Sequence, residues 1–370
     1  MPWYVWCSVA AVTSAMIGVH WDISWHRSIG RDTFWTPAHL AIHLCGVLAG
    51  LSCAYLILST TFDRDSPLRD SAVKIWGFRG PFGAFIAAWG GIAMLTSAPF
   101  DNWWHDAYGL DVKILSPPHM VLAAGIFGVE LGALILILGQ MNRASGEQRS
   151  RLLALFLYAG GMILVIVMIL EMELTSRMVM HWANFYRVVA TGTPLILAGV
   201  ARASRYKWGA TTVAGIYTVF VLLISWILPL FPAEPKLGPV FYQVTQFTPP
   251  DFPLLLIVPA FCLDLFWQRT GSWGAWKQSL ASAAIFLLTF AAVQWPFANF
   301  LMSPLARNWF FGTKYFGYNV SANSLFARYM FPPGEPSAVF WREAALAFAI
   351  AAVLTRLGFA AGDRMRRIQR

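Results

Sequence analysis

Charge is scarce in this chain. Only 12% of its 370 residues are Asp, Glu, Lys or Arg, about half the share of an ordinary soluble domain. Because 58% of the residues are hydrophobic, that shortage excludes a soluble globular protein. Cysteine is scarcer still. Cys7, Cys45, Cys53 and Cys262 lie in apolar segments and form no CxxC pair, which argues against a disulfide framework or a thiolate zinc site and leaves them as small buried hydrophobes. There is no P-loop, no dinucleotide-binding glycine motif, no HExxH and no Gly-x-Ser-x-Gly. Those absences remove the nucleotide-dependent, zinc-protease and serine-hydrolase classes.

Long apolar runs and aromatics are plentiful, with 18 Trp and 28 Phe. A run of about 20 apolar residues spans a bilayer. Ten such segments are expected near 3–21, 37–60, 80–98, 117–141, 152–172, 184–201, 210–231, 251–268, 278–294 and 339–359. The fold class is therefore an all-α integral membrane protein, a polytopic helical bundle of about ten transmembrane helices. The opening MPWYVWCSVAAVTSAMIGVHW lacks a basic leader and a small-residue cleavage site, so it reads as the first span rather than a removed signal.

The net charge of +9 has a topological origin. One set of loops carries Arg64, Arg69, Lys74 and Arg79, then Arg143, Arg149 and Arg151, then Arg202, Arg205 and Lys207, then Arg269 and Lys277. With Arg356 and the four arginines of the tail GDRMRRIQR, these make 17 of the 27 Lys and Arg residues. Basic loops stay in the cytoplasm, so both termini are expected there and nucleic acid is not a partner. The opposite loops are 22–36, 99–116, 173–183, 232–250 and 295–338. All seven histidines (His20, His26, His39, His43, His105, His119 and His181) fall on or near that outer side.

The histidines are also ordered. Residues 21–43 read WDISWHRSIGRDTFWTPAHLAIH, and residues 101–121 read DNWWHDAYGLDVKILSPPHMV. Asp22 precedes His26 by four residues and His39 follows by thirteen; Asp101 precedes His105 by four and His119 follows by fourteen. A spacing of four puts Asp and His on one helical face. Thr36-Pro37 and Ser116-Pro117 read as an N-cap followed by a first-turn proline, so His39 and His119 sit in the first turns of return helices. Two imidazoles and a carboxylate aimed at one point suit copper, iron or zinc, with room left for water, O2 or substrate. Asp32 and Asp111 are candidate second-shell partners, as is His43 one turn beyond His39. Single histidines and aspartates at membrane ends often just cap helices, but an ordered set occurring twice favours a site.

The stretch DISWHRSIGRDTFWTPAH resembles the copper-site segment of the C subunit of particulate methane and ammonia monooxygenases. That family has Asp-x-x-x-His, then His thirteen residues later, with Arg-Asp-Thr and Thr-Pro between. By this resemblance Asp22, His26 and His39 correspond to its copper ligands. Asp101, His105 and His119 correspond to its second site, where Asp101 stands in place of the family's Asn. The resemblance covers roughly residues 1–200, without the family's long N-terminal extension; 201–370 is an additional transmembrane region with the long aromatic outer loop 295–338. It implies copper as cofactor and O2-dependent hydroxylation of a small apolar substrate arriving through the bilayer. It also implies companion membrane subunits and a bacterial inner or cell membrane, with metal sites near the outer, periplasmic face.

The residues themselves reach only as far as a metal site, and no catalytic residue is assigned. A monooxygenase, or a subunit of one, is the first reading. The alternative is a non-catalytic membrane subunit or copper-handling protein whose sites store, relay or structurally bind the metal. A b-haem protein ranks below both, because Asp-x-x-x-His gives no reason for haem. Glu130 lies eleven residues after His119, on nearly the same face and about 16 Å deeper, and is a candidate for a proton path. Glu171, Glu173 and His181 bracket another outer loop with irregular spacing, better read as a solvated loop.

Overall fold

The fold was described from a computed structural model covering residues 1–30, 35–109, 116–176, 179–236, 244–312 and 335–369. It is almost entirely helical. Among the described residues eight helices are long and apolar enough to cross a membrane: Trp3–Ser28, Pro37–Phe62, Phe82–Tyr108, Pro117–Arg143, Gly146–Leu170, Gly209–Leu230, Ala275–Met302 and Ser337–Met365. The chain is thus an integral membrane protein. The second helix shows why. Leu40, Leu44, Leu51, Tyr55, Leu58 and Phe62 form an exposed apolar stripe, while Ile42, Cys45, Ala49, Cys53 and Leu56 are buried on its other side. Only lipid accepts the exposed stripe.

The chain divides into two compact units. The first is Met1–Ile163, joined by Lys236 and Arg367. It contains α1 (Trp3–Ser28), α2 (Pro37–Phe62), α3 (Phe82–Tyr108), α4 (Pro117–Arg143) and most of α5 (Gly146–Leu170). Between α2 and α3 sits a hairpin of β1 (Val73–Ile75) and β2 (Phe78–Gly80), paired Val73↔Gly80, Lys74↔Arg79 and Ile75↔Phe78. Its two-residue turn has positive φ at Trp76 (48°) and Gly77 (89°), the mirror-image turn that matches strand twist.

Small residues let these helices touch. A Cβ added to Gly90 of α3 would lie 2.5 Å from Val129 N and 2.6 Å from Gly125 O of α4. One added to Gly18 of α1 would lie 2.7 Å from Ile42 N of α2. Without a hydrophobic drive inside lipid, such close backbone packing supplies the association. Polar ties add to it: Thr13 and Tyr158 share a 2.7 Å hydrogen bond, and Gln140 donates to the Tyr4 hydroxyl at 2.9 Å.

The second unit runs over Leu164–Pro235 and Val240–Arg366. It contains α6 (Ala183–Val189), α7 (Thr193–Ser204), α8 (Gly209–Ile227), α9 (Ile257–Arg269), α10 (Ala275–Met302) and α11 (Ser337–Met365). Two expected spans differ here. Segment 184–201 is two short helices, because Pro194 cannot donate in the first turn of α7 and Gly192 precedes it. The break is held by Thr191 Oγ1 donating to Glu171 Oε1 at 2.8 Å. Segment 251–268 is helical only from Ile257. Its extended start is pinned by Leu254 N donating to the Tyr217 hydroxyl (3.1 Å) and Leu255 N donating to Gln294 Oε1 (3.0 Å). Of the expected loop 295–338, residues 295–302 extend α10, and 313–334 lie outside the described residues.

Several charges inside this unit are paired. Arg187 meets Glu343 at 2.9 Å, and Arg202 meets Asp363 at 2.9 Å. Asp264 accepts from Ala210 N, Thr211 N and Thr211 Oγ1, capping the start of α8.

Gly90→Ala is expected to destabilise the protein by about 1–3 kcal/mol, since the α3–α4 backbones must separate. Gly50, whose added Cβ would meet nothing within 4 Å, is the control. Thermal unfolding in detergent checks this: a drop for Gly90→Ala alone is expected, and equal shifts for both variants would remove close packing as the cause.

Candidate metal centre

The first triad is assembled by two helix ends. α1 carries Asp22 and His26 one turn apart in its last two turns. α2 begins at Pro37, and Thr36 accepts a hydrogen bond from His39 N at 3.2 Å. That cap fixes the first turn and with it the direction of His39. Asp22 Oδ1 lies 3.0 Å from His39 Nε2, and Asp22 Oδ2 lies 3.7 Å from His26 Nε2. The two imidazole rings are 6.5 Å apart, centre to centre. Among the described residues these three form the one group of His, Cys, Asp or Glu whose donor atoms all lie within 4.8 Å of one another.

That spacing suits a metal ion. Ligands at about 2.0–2.2 Å from an ion, at tetrahedral or right angles, sit roughly 3.0–3.5 Å from each other. The measured 3.0 and 3.7 Å bracket that range. One carboxylate and two neutral imidazoles leave a divalent ion with one net positive charge, open to an anionic or oxygen ligand. Exposure differs usefully. The side chains of Asp22 and His39 are about one-fifth exposed and that of His26 is 43% exposed, so His26 is the face open to exchange.

The second triad is built in the same way. α3 carries Asp101 and His105 on one face, and Ser116 caps α4 by accepting from His119 N at 3.4 Å. Asp101 Oδ1 lies 3.6 Å from both His105 Nε2 and His119 Nε2. Asp101 Oδ1 and His105 Nε2 are buried atoms with no hydrogen-bond partner among the described residues. Its three donors do not all close within 4.8 Å, so this triad is the looser one. Pro99 lies inside α3 two residues before Asp101 and removes one helical hydrogen bond there.

The two triads are neighbours at one end of the α1–α4 bundle. His119 acts electrostatically on Asp22, and His43 feels both His39 and Asp101. His43 thus lies within electrostatic reach of one ligand of each triad and has partners of its own. Asp32 and Asp111 lie outside the described residues. Glu130 of α4 is fully buried, and both its carboxyl oxygens have no hydrogen-bond partner among the described residues. Beside the second triad Phe100, Trp103, Trp104 and Tyr108 form an aromatic cluster, with Trp104 and Tyr108 centroids 4.5 Å apart.

The other outer groups are not gathered. Glu171 binds Thr191, while His181 packs edge-on against Trp295 at 4.9 Å. The sequence reading overlooked Gly18, which sets how closely α1 approaches α2 one turn below Asp22.

Thr36→Ala and Ser116→Ala are each expected to cost about 1 kcal/mol by leaving a first-turn N–H unsatisfied. Thr36→Ser is expected to keep the cap. Thermal unfolding of the three variants checks this, and an unchanged midpoint in both alanine variants would deny the caps their role.

Compared with protein-family models, curated proteins and solved structures, the chain matches none, so the centre is read from its own geometry.

Proposed function

We propose that this chain is a copper-binding membrane protein centred on Asp22, His26 and His39, acting as, or within, a membrane monooxygenase of the kind its motif resembles. The observation that carries this reading is the convergence of those three donors, from the end of α1 and the capped start of α2, within 4.8 Å. Copper bound there supplies O2 activation for hydroxylation of a small apolar substrate. The chain's own residues hold and shield the centre. Asp22 offsets the charge of the ion and spans both imidazoles. The Thr36 cap orients His39. The apolar helices around the centre exclude bulk water and let an apolar substrate and O2 arrive sideways through lipid. Glu130, buried and unpartnered below the second triad, is positioned to hold a proton on the way to or from that end of the bundle.

The topology completes the reading. The broken pair α6–α7 and the short α9 with its extended start supply two further crossings, making ten. Both termini then lie with the basic loops in the cytoplasm, and both triads face the periplasmic side. A bacterial inner membrane with companion subunits fits this arrangement. The non-catalytic reading, metal relay, draws on a separate observation: two adjacent triads with His43 in electrostatic reach of both.

Metal analysis with electron paramagnetic resonance on purified protein tests this. After copper reconstitution, about two copper ions per chain are expected for the wild type and about one for either His26→Ala or His105→Ala. An O2-dependent product from apolar substrates, lost in His26→Ala, supports catalysis; copper passing between the centres without a product supports relay. No bound transition metal in the wild type overturns both. A strong Soret absorption band would replace copper with haem.

A further inference from the structure

The hairpin between α2 and α3 carries an electrostatic feature that its own fold does not resolve. Register places Lys74 directly opposite Arg79, so two positive side chains leave the same face of a two-stranded ribbon. Like charges in that position destabilise a hairpin. Neither side chain has an ion-pair partner among the described residues, although Asp63, Asp65 and Asp70 lie in the same connection. Arg69, the other nearby cation, is already used: its guanidinium donates to the carbonyls of Thr60, Thr61 and Asp63 at the end of α2.

The ribbon is nevertheless held firmly. Thr61 Oγ1 accepts from Arg79 N at 2.8 Å and donates to Arg79 O at 3.1 Å. A Cβ on Gly80 would meet Ile57 at 3.0 Å. The paired cations are therefore presented at a fixed place at the end of α2 and α3 remote from both triads. Beside them is an apolar surface. Trp76 at the turn is 79% exposed and packs edge-on against Trp89 of α3 at 5.4 Å. Phe62 and Phe82, the last and first residues of the two flanking helices, are 74% and 39% exposed. Trp89 lies two turns into α3, so the turn leans along the lipid-facing side of that helix.

We propose that Lys74 and Arg79 bind the phosphodiester headgroup of an anionic phospholipid, whose glycerol and acyl portions lie against Trp76, Trp89 and Phe82. One phosphodiester supplies the negative charge that the opposed pair lacks, and a guanidinium donates to two of its oxygens together. The aromatic surface selects a lipid over free phosphate, because only a lipid fills both halves of the site. Basic residues at a membrane face gain from anionic headgroups in general; here the register makes the gain specific to one pair. The proposal is independent of the metal assignment.

The test uses the full chain in a neutral detergent with added phosphatidylglycerol, phosphatidylcholine or inorganic phosphate. Native mass spectrometry reads retained lipid, and thermal unfolding reads stability. Wild type is expected to retain phosphatidylglycerol over phosphatidylcholine and to be stabilised by it. Lys74→Ala/Arg79→Ala is expected to bind it roughly tenfold to a hundredfold more weakly, the range for two basic side chains at a bilayer surface. Lys74→Glu makes the pair complementary, so it is expected to lose the lipid while melting higher than wild type in lipid-free detergent. That variant decides the matter if the double variant does not fold. Equal retention of phosphatidylglycerol in wild type and variants overturns the site. Equal stabilisation by phosphatidylcholine overturns the headgroup charge, and equal stabilisation by inorganic phosphate overturns the lipid.

Discussion

Polar groups in the membrane-spanning part of this protein depend on partners within the fold, because lipid offers none. That constraint accounts for more of the structure than any hydrophobic contact does. It makes the backbone helical, and where the helix fails it dictates what replaces it. The gap between α6 and α7 is closed by Thr191 and Glu171. The extended approach to α9 is held by Tyr217 and Gln294. Arg187 lies inside an apolar segment because Glu343 neutralises it. The same rule sets apart the two histidine triads, where donors converge on each other and some buried atoms keep no ordinary hydrogen bond.

Position matters as much as composition. Both triads use a helix C-terminus and the N-terminus of the next helix, joined by a short connection. A helix end is the place where backbone groups already need side-chain partners, so Thr36 and Ser116 fit there, with Pro37 and Pro117 behind them. Once the caps form, His39 and His119 have little freedom left. The metal-binding reading therefore rests on ordinary helix-capping chemistry applied twice, with a carboxylate as the common point of each trio.

Much of this could be read from the residues alone. Apolar runs between basic loops located the eight long helices, and the Asp-x-x-x-His spacing with a capped return helix pointed to the two Asp/His/His groups that the fold gathers. What escaped was tertiary. Nothing in the apolar stretch 184–201 announces that Gly192 and Pro194 interrupt it, since proline in a first turn is equally at home in a continuous span. The hairpin at 73–80 is short and its turn places Trp76 at positive φ, against the usual preference for Gly or Asn. Asp264 sits near the end of an apolar run; only the fold shows that it caps a helix 53 residues earlier in the chain. The approach of α1 to α2 within the first triad, and of α3 to α4 within the second, also depends on packing at Gly18 and Gly90.

Pro99 makes the two centres unequal. α1 carries no proline at the corresponding place before Asp22, whereas α3 has lost a backbone bond one half-turn before Asp101. The first triad therefore stands on an intact helix and the second on a locally compliant one. In a repeated site that difference has an evolutionary reading. The compliant copy can change its side chains at the triad while the bundle and the rigid copy stay intact. Repetition of this kind gives a membrane protein a spare centre on which selection can act.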